Sequence, residues 1–249
     1  MPLVGIYGGL GRGKTLALAY MCWNNLFIKN RKIYANFTLY GIPFTRITTL
    51  EGLMSIIPLE TTEKDILEGK EVFFAGDELW RWLSSRCIGQ GARKRKELIN
   101  RVLLASRKAE VTIVYTVQTP KQIDTWIRDV TDMWILPFLD TDAGILRLFW
   151  LDYPVIKPTM RDLMIHSKGK PTVVKATPFY AIYSTHERIP MIDEGKDDLV
   201  ERVIPISRNP SWRKYWLIDK GVSEEKFLKI CEKIEKTYWL YRELPKDRA

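Results

Sequence analysis

Near the amino end, Gly8-Gly9-Leu10-Gly11-Arg12-Gly13-Lys14-Thr15 sets glycines, a lysine and a hydroxyl at the spacing that surrounds a polyphosphate. Glycines let the main chain turn through positive φ and approach an anion closely. The backbone N–H groups of Gly8, Gly9, Gly11, Arg12 and Gly13 are then expected to converge on phosphate, with Lys14 reaching the terminal groups. The Thr15 hydroxyl is an oxygen ligand suited to Mg²⁺. Such a loop needs a strand to deliver it and a helix to receive it. Leu3 to Tyr7 reads as a buried parallel strand, and Leu16 to Met21 as the first turns of a helix. The helix N-terminus adds positive potential where the phosphates would sit. The expected ligands are ATP and Mg²⁺.

Two further stretches suit the same chemistry. Glu71 to Leu79 is an apolar run ending in Asp77-Glu78. In an open α/β sheet, ligands lie beyond the carboxyl ends of the strands, where this run delivers two acids. Asp77 is expected to hold Mg²⁺ through water, and Glu78 to take a proton from the attacking water as general base. Paired acids favour hydrolysis over simple binding. Val111 to Val117 is a β-branched core strand ending on Gln118, followed by the helix-start signal Thr119-Pro120. Gln118 is either a γ-phosphate sensor or a simple strand cap. A strand over Ile33–Leu39 carries Asn36, which reads as a plain turn residue in preference to a contact near the nucleotide.

The charge is concentrated. Net charge is +9, and the 23 residues from Arg86 to Lys108 hold eight basic side chains against Glu97 alone, a net +7. Gly89-Gln90-Gly91-Ala92 precedes Arg93-Lys94-Arg95-Lys96, so these four basic residues follow a loop signal. That arrangement suits contact with a phosphate backbone without base readout, and a solvated helix face is the alternative. Nucleic acid, double-stranded DNA in particular, is the expected partner.

With 249 residues, of which 46% are apolar, the chain has enough for one large core with a small appendage. Cys22, Cys87 and Cys231 are too scattered for metal-ligand spacing, and His166 and His186 lack partners at such spacing. No run of 18 apolar residues occurs, and Met1-Pro2-Leu3 leads directly into the first strand. The expectation is a cytoplasmic, reduced protein (host cytoplasm if the source is viral), neither secreted nor membrane-spanning. Further strands are expected at 133–136, 144–153, 173–176 and 179–183. Turns dominate 41–70, with short helices around 49–56 and 61–68, and a helix is expected over 120–130. Residues 1–190 form the expected core, and 191–249 a charged linker and helical appendage. A helix opening at Ser223 carries Phe227, Ile230, Cys231, Ile234, Tyr238 and Tyr241 on one face.

The order of phosphate loop, a strand carrying Ala35-Asn36, Asp77-Glu78 and Val117-Gln118-Thr119-Pro120 resembles the FtsK/HerA superfamily of P-loop ATPases. Small archaeal-virus genome-packaging ATPases and Zot-like phage ATPases are the members it looks most like. Tyr183-Ser184-Thr185-His186-Glu187 is similar to their late Tyr-Asp-Thr motif, with Ser where Asp is usual. The resemblance spans about residues 1–190. It implies an α/β, RecA-like core with a mainly parallel central sheet flanked by helices, and Lys14, Glu78 and Gln118 in catalytic roles. It also implies a homo-oligomeric ring with an arginine finger from the neighbour, for which Arg101, Arg107 and Arg128 are candidates. The resemblance does not cover the tail, which is either a small appendage packing on the core or a docking arm for another subunit, such as a capsid or membrane-associated partner. The leading expectation is an ATP-driven motor that translocates or packages nucleic acid, such as viral genomic DNA. Morphogenesis or export of the Zot-like kind, or initiator-like remodelling of a nucleoprotein, is the second. A small-molecule kinase is a weaker third, because a +7 tract beside paired acids suits it poorly.

The basic tract generates a direct expectation. Log affinity for duplex DNA falls with log salt at about −0.9 per neutralised phosphate, so replacing Arg93, Lys94, Arg95 and Lys96 by Ala should shallow that slope by up to about 4. Basal hydrolysis should survive, since the phosphate loop and acids are untouched. A salt titration of DNA binding with unchanged slope and affinity would make the tract a solvated surface.

Overall fold

The computed structural model describes residues 3–57, 71–79, 111–155, 158–185, 187 and 198–243. Strand β1 (Leu3–Tyr7) is buried along its whole length because it lies inside the sheet. It pairs in parallel with β5 (Thr112–Val117) on one side and β6 (Met133–Asp140) on the other. The remaining strands are β2 (Lys32–Ala35), β3 (Pro43–Arg46), β4 (Val72–Gly76), β7 (Ile145–Leu151), β8 (Thr172–Lys175) and β9 (Asp198–Val203). Together they make one nine-stranded sheet in the order β8-β7-β6-β1-β5-β4-β2-β3-β9. The strands from β6 to β3 run parallel, while β7, β8 and β9 are antiparallel additions at the two flanks. Strands buried on both faces read as continuous apolar runs, as Val72 to Ala75 and Ile113 to Val114 do.

Helix α1 (Lys14–Phe27) covers one face, burying Leu16, Ala17, Leu18 and Ala19 at its amino end and Trp23, Leu26 and Phe27 further on. Trp134, Phe74 and Tyr115 fill the opposite face. Helix α2 (Leu50–Ser55) starts where expected and is capped by the Thr49 side chain, which accepts from the Gly52 N–H at 2.9 Å.

Three sequence expectations meet a different local structure. The turn-rich reading of 41–70 hides β3, because Gly41 and Pro43 look like turn punctuation. Pro43 is in fact the first strand residue, where a missing N–H is tolerated. The stretch 179–183, expected as a strand, instead forms part of a 3-10 helix at Thr177–Ala181. Pro178 sets φ at its start, and Phe179 packs edge-on against both Tyr20 and Trp23 of α1. The expected helix over 120–130 is split into a 3-10 turn, Pro120–Gln122, and a short helix, Thr125–Asp129. Between them Ile123 is extended and buried.

Sheet and core both cross the expected division between residues 190 and 191. Strand β9 pairs with β3 and closes one edge of the sheet. The C-terminal helix Glu224–Glu243 buries Phe227, Cys231 and Tyr238 in the same hydrophobic cluster as Trp23 and Phe27 of α1. Tyr238 donates its hydroxyl to the Pro178 carbonyl. Asn209, 0% exposed, donates from Nδ2 to the Ala181 and Tyr183 carbonyls at 2.9 and 2.8 Å. Its Oδ1 accepts from the Ser211 and Trp212 N–H groups, capping the helix Pro210–Lys214.

Replacing Asn209 by Ala removes a helix cap and leaves two buried carbonyls without a donor. The expected loss is about 3 kcal/mol, or a Tm lower by about 6–12 °C in a chain of this size. Thermal unfolding of Asn209→Ala checks this, and a change under 2 °C would contradict it.

Candidate nucleotide site

The phosphate loop leaves β1 after Tyr7 and enters α1 through Gly13 at φ +87. A side chain at Gly13 would be strained by that φ, and its Cβ would come within 3.0 Å of Leu146 Cδ1 and 3.2 Å of Leu139 Cβ. No side chain caps the amino end of α1 and no acid lies in its first turn. Its leading N–H groups are therefore directed at whatever anion the loop encloses. Lys14 Nζ donates to the Gly8 and Gly9 carbonyls at 2.9 and 3.0 Å, which holds the ammonium across the loop. Burial lowers the Lys14 pKa, and the charges of Asp77 and Glu78 oppose that shift.

Asp77 follows β4 and is 7% exposed. Burial raises its pKa, against the hydrogen bonds donated by Thr116 and Thr15. Thr116 Oγ1 donates to Oδ1 at 2.6 Å and Thr15 Oγ1 to Oδ2 at 3.0 Å. The main chain of Asp77 is held as firmly as its side chain. Asn36 donates from Nδ2 to the Asp77 carbonyl at 2.8 Å and accepts from the Asp77 N–H at Oδ1 at 2.7 Å. The plain-turn reading of Asn36 is thus corrected: it is 0% exposed and clamps the acid-bearing turn. A polar residue ending an apolar strand was the available signal, but nothing in the sequence named its partner, 41 residues away.

Glu78 adopts φ +47, in the left-handed region that costs a non-glycine residue about 1–3 kcal/mol. Its N–H donates to Thr116 Oγ1 at 2.7 Å and to Asp77 Oδ1 at 3.2 Å. Lys14, Thr15, Asp77 and Glu78 all line one cavity of about 590 Å³. Leu139, Tyr180, Tyr183 and Glu187 line it as well, none of which sequence reasoning had placed at the site. Glu187 accepts from the Thr38 N–H and hydroxyl, both at 2.8 Å, and pairs with Arg46 at 2.9 Å.

Gln118 lies on another wall. With Gly8, Gly9, Arg12 and Phe138 it lines a second cavity, of about 540 Å³, on the other side of the loop. The Arg12 guanidinium sits 5.6 Å from the Phe138 ring centre. The end of β5 is capped by Gln122, whose Oε1 accepts from the Gln118 and Thr119 N–H groups. Arg128, in the helix Thr125–Asp129, lines neither cavity and donates to Thr125 Oγ1 at 3.4 Å. Arg93, Lys94, Arg95, Lys96, Arg101 and Arg107 lie outside the described residues, as do Cys87 and His186.

The donor set fits Mg²⁺. That ion keeps several waters and takes one or two protein oxygens beside phosphate, and the Thr15 hydroxyl and Asp77 carboxylate oxygens are 3.0 Å apart. Among the described residues no larger cluster of acids, histidines and cysteines could hold a metal.

A phosphate loop after β1, acids after β4 and an intervening β5 in a mainly parallel sheet compose a RecA-like α/β fold. No family model and no curated protein matches the chain. Among solved structures it is similar to the N-terminal domain of zonular occludens toxin from Neisseria meningitidis. That likeness has 20% identity and a TM-score of 0.46, covering 74% of this chain and 99% of the other. It is also similar to the genome packaging NTPase B204 of Sulfolobus turreted icosahedral virus 2, at 10% identity and a TM-score of 0.38, over 59% and 91%. The pCW3 conjugation coupling protein TcpA is a third, at 14% and 0.44, over 73% and 60%. Among the described residues no helix is long and apolar enough to cross a membrane.

If Asn36 holds the acid turn, Asn36→Ala should lower stability by about 2 kcal/mol by leaving the Asp77 N–H and carbonyl without partners. It should also lower turnover more than nucleotide affinity, because the loop itself is untouched. Unfolding and steady-state assays on the same preparation check both, and equal losses of affinity and turnover would refute the positioning role.

Proposed function

We propose that the chain is an ATP-hydrolysing motor that translocates or packages nucleic acid, double-stranded DNA by preference. The observation that carries the ATPase part is the convergence of Lys14, Thr15, Asp77 and Glu78 on one cavity, although Thr15 and Asp77 are 62 residues apart. Thr15 and Asp77 would hold Mg²⁺, which when bound draws charge from the β- and γ-phosphate oxygens. The Lys14 ammonium offsets the rest of the terminal negative charge. Glu78 takes a proton from water as the water oxygen bonds to the γ-phosphorus, and the bond to the ADP oxygen breaks. Gln118, beside Gly8 and Gly9, is the proposed sensor of the terminal phosphate.

The nucleic-acid part rests on the net +7 of Arg86–Lys108, where Arg93, Lys94, Arg95 and Lys96 are the proposed backbone contacts. A ring of identical subunits would supply the missing cation at each cleft, from Arg101, Arg107 or Arg128. A capsid or membrane-associated partner for the C-terminal region belongs to the same proposal.

Glu78→Gln should keep ATP affinity and lower turnover by roughly 10²–10⁴, since a carboxamide cannot accept the proton. Wild-type turnover in that variant would remove Glu78 from the role of base. ATPase rates of the wild-type protein with duplex DNA, single-stranded DNA and RNA test the motor reading. Stimulation by duplex DNA supports it, and indifference to all three overturns it in favour of an export or nucleoprotein-remodelling ATPase.

A further inference from the structure

Two cavities flank the phosphate loop, and a nucleoside could extend into either. The strand order decides between them. Asp77 follows β4 and Leu139 lies near the end of β6, with β5 and β1 between. At about 4.8 Å per strand, these two ends of the Lys14 cavity are separated by about 14 Å across the sheet. The acids must face the terminal phosphate, so the nucleoside leaves α1 in the opposite direction, past Gly13 and towards Leu139. Leu139 is already packed there, since a Cβ on Gly13 would meet its Cβ at 3.2 Å.

A strap crosses the cleft on the α1 side. It is tied to the turn before β7 where the Ala176 N–H donates to the Gly144 carbonyl, and to the region after β2 where Tyr183 bridges Leu39. Between these ends Phe179 sits on Tyr20 of α1, and its neighbour Tyr180 lines the cavity. Asn209 and Tyr238 hold the strap from behind through the carbonyls of Ala181, Tyr183 and Pro178. Tyr180 is therefore a half-buried aromatic in the cavity wall, on a strap held at both ends. Ser184, Thr185 and Glu187 follow it along the strap, beyond Tyr183 and towards the Leu39 end.

We propose that Tyr180, which shares the cavity lining with Leu139, is the platform on which the base of the bound nucleoside triphosphate stacks, so that the cleft holds a base by its face and not by its edge. The proposal rests on the nucleotide-binding reading given above. Every base has a π-face, and aromatic stacking tolerates its identity. ATP and GTP should consequently bind within about tenfold of one another.

The test measures Mg²⁺-dependent binding of non-hydrolysable ATP and GTP analogues and of inorganic tripolyphosphate to the full-length protein. Tyr180→Ala should weaken the ATP analogue about tenfold or more and leave tripolyphosphate unchanged. Tyr180→Phe should restore binding. Tyr180→Leu, which keeps bulk at a half-buried position, should resemble Ala in affinity while preserving the fold. The proposal is overturned if Tyr180→Leu and Tyr180→Ala bind the analogue as the wild type does, or lose analogue and tripolyphosphate equally. It is also overturned if Phe138→Ala, in the second cavity, carries the loss instead, or if the wild type prefers ATP to GTP by more than a hundredfold. Failure of the wild type to bind tripolyphosphate at all would strike the phosphate cradle itself, and the Tyr180 platform would fall with it.

Discussion

A carboxylate withdrawn from water must be surrounded by donors, and Asp77 draws its donors from separate parts of the chain. Thr15 comes from α1, Thr116 from β5, and Asn36 from the end of β2 holds its main chain. Burial alone would favour the neutral acid. The donated hydrogen bonds oppose that preference, and a divalent ion bound at the same oxygens would oppose it further. Because those donors sit on β2, α1 and β5, the geometry at Asp77 is a geometric constraint on how these elements are placed around β4.

The same reasoning explains why the C-terminal region is inside the structure and not beside it. A cleft wall made from an irregular strap has backbone carbonyls that no sheet ladder satisfies. Asn209 supplies two of the missing donors and Tyr238 a third. The C-terminal helix then covers Trp23 and Phe27 at the far end of α1, whose near end faces the phosphates. One helix is thus anchored by the tail at its carboxyl end and addresses the ligand at its amino end.

What was legible in the sequence was what local spacing encodes. Gly8 to Thr15, the apolar runs of β1, β4 and β5, and Asp77-Glu78 could be read because strand, turn and helix signals are contiguous. Strands β7 and β8 were legible as strands for the same reason. Asn36 was misjudged because its meaning depends on a partner at the end of the neighbouring strand, 41 residues on. The strap was misread because Phe179 to Tyr183 has strand-forming residues, and only the preceding Pro178 and the packing on α1 bend it into a 3-10 turn. Gln118 shows the limit of motif order. Its position at the end of β5 was clear from spacing, while the cavity it lines is set by the fold.

The two acids show how sequence adjacency becomes shared chemistry. In a continuing strand, neighbouring side chains point to opposite faces, so Asp77 and Glu78 could not serve one cavity. The left-handed φ at Glu78 breaks that alternation immediately after β4. Such a conformation persists only when its surroundings over-determine it. Here Thr116 does so with a single hydroxyl: it accepts the Glu78 N–H and donates to Asp77 Oδ1. The hydroxyl that satisfies the buried acid is therefore also the one that holds its neighbour in the strained turn. Placing that threonine on β5, between the loop-bearing and acid-bearing strands, makes the strand order of the sheet part of the chemistry of the site.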